Sequence, residues 1–69
     1  MTAYQEGIYI AANILLRVNV SDGGECWADL LYVQGPGLPP LLVNRLPIPQ
    51  AALADVAAML ARAAERVAG

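Results

Sequence analysis

The sequence predicts an α+β fold: a three-stranded antiparallel β-meander followed by one C-terminal α-helix packed on one sheet face. Three observations carry the expectation. Residues 8–20, IYIAANILLRVNV, place an apolar side chain at every even position, the period of a strand with one buried face. The segment SDGGE that follows supplies the Asp-Gly and Gly-Gly steps that tight hairpins need. Near the C-terminus, Leu53, Val56, Ala57, Leu60, Ala64 and Val67 recur at spacings of three and four, which puts them on one helical face.

Residues 7–20 read as the first strand, with Ile8, Ile10, Ala12, Ile14, Leu16, Val18 and Val20 on its even face. Residues 25–34, ECWADLLYVQ, read as the second. Their register follows from the turn. A two- or four-residue loop would pair Leu16 with Asp29, setting a charge on the apolar face. A three-residue loop, Asp22-Gly23-Gly24, instead pairs Val20 with Cys26, Val18 with Ala28, Leu16 with Leu30 and Ile14 with Tyr32. It also sets Arg17 opposite Asp29 and Leu15 opposite Leu31. Opposite charges across a ladder stabilise it, and a one-residue slip would move every side chain to the other face. The three-residue loop is the expected one.

GPGLPP, residues 35–40, holds three prolines and two glycines and interrupts both ladder and helix. Its Pro36-x-x-Pro39 spacing reads as a stiff connection. LLVNRL, residues 41–46, reads as a short third strand. PIPQ closes it and opens the helix, with Pro49 in the first turn. No Ser, Thr, Asp or Asn stands at the expected cap. The apolar stripe of the helix is expected to cover the even face of the first two strands. A row of small residues, Ala51, Ala54, Ala58 and Ala61, lies beside that stripe and is accounted for by the helix propensity of alanine.

One helix covers one face. The odd face would then present Tyr9, Leu15, Trp27, Leu31 and Val33 around an Arg17–Asp29 pair, and these seven residues are the expected interface. Contiguous apolar surface marks interaction sites, and Trp, Tyr and Arg are favoured at their centres. The expected partner is a second copy of the chain, a larger protein, or both.

Size and composition point the same way. Residues 1–69 make one small domain, near the lower limit for a self-sufficient core. Such domains are usually reinforced by disulfides, a metal or association. With one cysteine and no histidine, association is the route left. A hydrophobic share of 58% against 14% charged fits it, since charged residues ordinarily make up about 25%.

The same composition argues against several function classes. Without histidine there is no histidine-based triad, and Cys26 reads as a buried small hydrophobe. Asp22, Glu25 and Asp29 lack the ligand spacing of a calcium loop. The expectation is therefore a non-enzymatic module with no cofactor, no metal and no catalytic residues. Four arginines, no lysine and a net charge of −2 make a poor footprint for nucleic acid. A sheet-based single-stranded nucleic-acid binder using Trp27, Tyr9 and Arg17 is the alternative reading. The N-terminal residues lack a basic region and the apolar stretch is too short for a span, so the expected setting is cytoplasmic. A regulatory subunit fits these features, as does a small inhibitor of the kind that mobile genetic elements encode, including inhibitors of bacterial CRISPR defence.

Overall fold

The computed structural model describes residues 2–69. It contains four strands where three are expected: β1 (Thr2–Ala11), β2 (Ile14–Ser21), β3 (Cys26–Tyr32) and β4 (Leu41–Ile48). A short 3-10 turn, Gln50–Ala52, leads into one helix, α1 (Leu53–Ala68). The strands form a single antiparallel sheet in the order β1-β2-β3-β4.

The three-stranded meander is thus corrected to four strands, because residues 7–20 are not one strand. The chain reverses at Ala12 and Asn13, within the longest alternating stretch. The reason the alternation conceals this lies in the register. Ile8 pairs with Leu16, Glu6 with Val18 and Tyr4 with Val20, so even residues face even residues across the turn. A reversal that conserves parity leaves a period-2 pattern unbroken. The strand also begins earlier than expected, taking in Tyr4, Gln5 and Glu6.

The β2–β3 register is the expected one throughout, from Ile14 opposite Tyr32 to Val20 opposite Cys26. The connecting loop closes with the Ser21 amide donating to the Glu25 carbonyl at 2.8 Å. Gly24 takes the required positive φ of 86°, a conformation that residues with a Cβ avoid. β4 runs two residues past the expected end, through Pro47 to Ile48. Proline is tolerated there because β4 is an edge strand with no ladder on its outer side. Between Leu30–Asn44 and Leu31–Leu42 the register shifts, which leaves Val43 as the extra residue of a bulge.

The helix does not lie over the sheet, which overturns the second half of the expected fold. Within α1 only Leu53 and Val56 are half-buried; every later residue is exposed, with Leu60 at 61% and Val67 at 90%. The connection explains why. A single residue, Pro49, separates β4 from the 3-10 turn, with φ −58° and ψ 140°. Pro47 and Pro49 flank Ile48 and hold it extended, and the four residues between β4 and α1 are a proline and a 3-10 turn, which direct the helix away from its own strands. No side chain caps the helix, as its uncapped sequence suggests.

The molecule is consequently one layer thick, measuring 37 × 36 × 16 Å. Its radius of gyration is 13.7 Å, where a compact domain of this length would have about 11 Å.

Candidate functional site: two unlike sheet faces

The four strands sort their side chains into two faces of different character. The odd face carries a chain of polar contacts across all four strands. On β1, Gln5 Nε2 donates to Asn19 Oδ1 of β2 at 2.7 Å. Asn19 Nδ2 donates in turn to Asp29 Oδ2 of β3 at 3.2 Å. Arg17 Nη2 reaches the same oxygen at 3.3 Å. From β4, Arg45 grips both carboxylate oxygens, Nε to Oδ1 at 2.8 Å and Nη2 to Oδ2 at 3.2 Å.

The register makes this cluster. Gln5, Asn19 and Trp27 stand in one cross-strand row, and Gly7, Arg17, Asp29 and Arg45 in the next. Gly7 belongs there for steric reasons: a Cβ on it would lie 3.3 Å from both Leu15 Cδ1 and the Leu16 carbonyl oxygen. The Asp29 carboxylate is wholly buried, and two arginines and an amide satisfy it. The hydrogen bonds from Arg45 hold its carboxyl below the ordinary carboxylate range against the opposing effect of burial, with Arg17 assisting. The guanidinium of Arg45 also lies 5.4 Å from the centre of the Trp27 ring, within cation–π range.

All seven expected interface residues lie in or beside this arrangement, but not as an open patch. Asp29 and Leu31 are buried, and Leu15, Arg17, Trp27 and Val33 are half-buried. Tyr9 is exposed, as is Arg45. The odd face therefore closes on itself as a small mixed core. Arg17 and Arg45 are both engaged by Asp29, which reduces what they offer a phosphate. Asn13, an odd-numbered residue, sits in the β1–β2 turn and off this face. Sequence reasoning missed Gln5 and Arg45, although Arg45 had a signal: an arginine in a strand one hairpin away from an otherwise buried aspartate.

The even face is the opposite case. Ile8 is 60% exposed and Leu46 61%, with Leu16, Val18, Ala28 and Leu30 half-buried between them. Two shallow depressions of about 240 and 200 Å³ mark it. The first is lined by Tyr4, Glu6, Gly7, Ile8, Leu16 and Val18. The second is lined by Leu16, Ala28, Leu30, Asn44 and Leu46. They share Leu16 and form one trough across the sheet. Its polar features are few. The Tyr4 hydroxyl donates to Glu6 Oε1, and that bond, with burial and the nearby negative charge, raises the phenol above its ordinary pKa.

Other candidate chemistry finds no assembled site. Asp22 and Glu25 belong to the β2–β3 loop, while Asp29 lies along β3 with its arginines. Among the described residues no cluster of His, Cys, Asp or Glu has the geometry to hold a metal ion. Cys26 is buried. GPGLPP forms a turn in which Gly35 and Gly37 take positive φ, tied down by Gln34 Nε2 donating to the Pro39 carbonyl at 2.9 Å. Among the described residues, no helix is long and apolar enough to cross a membrane.

No family model, curated protein or solved structure matches this chain.

Proposed function

We propose that this chain is a non-enzymatic protein–protein interaction module that works as a homodimer, with the even face of the sheet at its self-association surface. The observation that carries the reading is the amount of surface left uncovered. The chain exposes 5295 Å², whereas a compact monomer of 7.3 kDa would expose about 4,200 Å². The excess is roughly 1,100 Å² per chain, or about 2,200 Å² for a pair, in the range of obligate dimers.

The character of that surface supports the same reading. A stable domain needs at least two layers packed around one core, and this chain has one. Exposed apolar area on the even face is contiguous, running from Ile8 through Leu16 to Leu46, where single scattered residues would need no explanation. A second copy is the partner whose surface is known to be complementary in kind, and two-fold dimers are the commonest oligomers. The odd face, with Tyr9 and Arg45 outermost, then faces away from the dimer and is available to a larger protein.

The test is the mass in solution, by light scattering on a sizing column at low and at high salt. An apolar interface persists or tightens as salt is added. A dimer held at both salt concentrations is the expected result. A monomer at both would overturn the reading. An assembly that falls apart in high salt would mean that charge contacts, not the even face, hold it.

A further inference from the structure

The uncovered surface is of two kinds, and both lie on the same chain. One is the trough on the even face. The other is the stripe of α1 formed by Leu53, Val56, Leu60, Ala64 and Val67, which is exposed beyond its first turn. Resting on the reading of the chain as a homodimer, we propose that α1 is exchanged: the helix of each protomer lies in the even-face trough of its partner.

Three arrangements would bring the apolar surfaces of two copies together. Stacking sheet on sheet covers both troughs and leaves both helices in water. Packing helix on helix does the reverse. Only reciprocal exchange covers each helix with a sheet and each sheet with a helix, and a two-fold axis makes the two contacts identical. A helix of 16 residues is about 24 Å long and an eight-residue strand such as β2 about 26 Å, so the even face accommodates the helix laid along the strand direction, over the two depressions.

The hinge selects exchange over closure within one chain. Strand-to-helix connections ordinarily run to about two to six residues, and here the four, residues 49–52, are a proline and a 3-10 turn, with no glycine or flexible step in which to reverse. Short, stiff connections that cannot reverse are the ones that pass an element to a neighbouring copy. The composition of the stripe fits its destination. Leu60 and Val67 are large enough to enter a trough floored by Leu16, Ala28 and Leu30, and Ala57 and Ala64 allow the helix axis to approach the strands.

The experiment is an isotope-filtered NOE measurement on the intact chain, mixing a fully 13C-labelled population with an unlabelled one and allowing the dimers to re-equilibrate. Exchange predicts intermolecular cross-peaks from the methyls of Leu60 and Val67 to those of Leu16 and Leu30. A dimer with cross-peaks only between sheet and sheet, helix and helix, or β1 edge and β1 edge would overturn the exchange and leave the homodimer reading standing. Helix-to-sheet contacts found only within one chain would also overturn it. A monomeric sample would overturn both.

Discussion

Arg45 donates from Nε to Asp29 Oδ1 at 2.8 Å, straight across the β3–β4 ladder, and the carboxylate it grips has no accessible surface. This pair joins the edge strand to the sheet interior, and α1 follows directly from that edge strand. Arg17, from the opposite neighbour, completes the charge balance. The strand carrying the helix is thereby fixed to the centre of the fold by one buried anion.

Acid should loosen the sheet through Asp29. Its pKa is lowered in the fold, chiefly by Arg45, so the folded state binds that proton less readily than the unfolded chain does. The stabilisation is therefore complete above the ordinary carboxylate pKa of about 3.9 and is lost as pH falls further, through the lower folded value. Asp29→Asn should cost about 2 kcal/mol near neutral pH, by removing hydrogen bonds to a charged group. It should also flatten the pH dependence below about pH 4. Urea melts of both proteins from pH 7 downward check this; equal slopes in acid would show that Asp29 is not the responsible group.

Trp27 should matter to folding more than to self-association. It is half-buried on the odd face under Arg45, and its indole Nε1 is buried with no hydrogen-bond partner. Trp27→Ala should destabilise the chain by about 3 kcal/mol. Trp27→Phe should cost less than half of that, since it keeps most of the packing and removes an unpaired donor. Neither should change the dimer dissociation constant of the folded protein by as much as tenfold. Equilibrium unfolding and dilution light scattering, run on both variants, separate the two quantities.

Leu60→Asp should have the reverse effect. Leu60 is exposed within its own chain, so a carboxylate there leaves the sheet of one protomer untouched. In the dimer the same charge would be buried without a partner, which costs several kcal/mol. Self-association should weaken by at least a hundredfold, while the strand signal in circular dichroism is kept. An unchanged dimer would remove α1 from the interface.

Lengthening the hinge tests what holds the helix away from its own sheet. A flexible insertion of about six Gly and Ser residues between Pro49 and Gln50 gives the chain room for a helix-return loop. The mass should shift toward the monomer at low concentration, with helix content preserved. A dimer of unchanged affinity would show that the Pro47–Pro49 connection plays no part in directing α1.

Much of this architecture is legible in the residues, and what is not has identifiable causes. The β2–β3 hairpin can be read because Gly24 needs its positive φ and because Arg17 and Asp29 permit only one charge-paired register. The β1–β2 hairpin escapes reading because Ala12-Asn13 lacks a glycine or proline, and because even-to-even pairing carries the alternation through the turn. The helix is recognisable by its spacing, but its placement is not. Periodicity states which face of a helix is apolar and is silent on whose surface covers it. The helix's direction is set by the connection, Pro49 and the 3-10 turn, which periodicity does not report. The cluster around Asp29 was half visible: Arg17 follows from register, while Arg45 and Gln5 require the outer strands to be placed first.

Amide hydrogen exchange of α1, followed at two widely separated protein concentrations, tests most directly whether a second copy covers what this chain leaves bare. A helix exposed along its length exchanges rapidly when alone. The predicted result is protection of the Leu60–Val67 amides that rises with concentration, together with that of Leu16 and Leu30 in the trough. Rapid exchange in α1 at every concentration, with the sheet protected equally throughout, would contradict it.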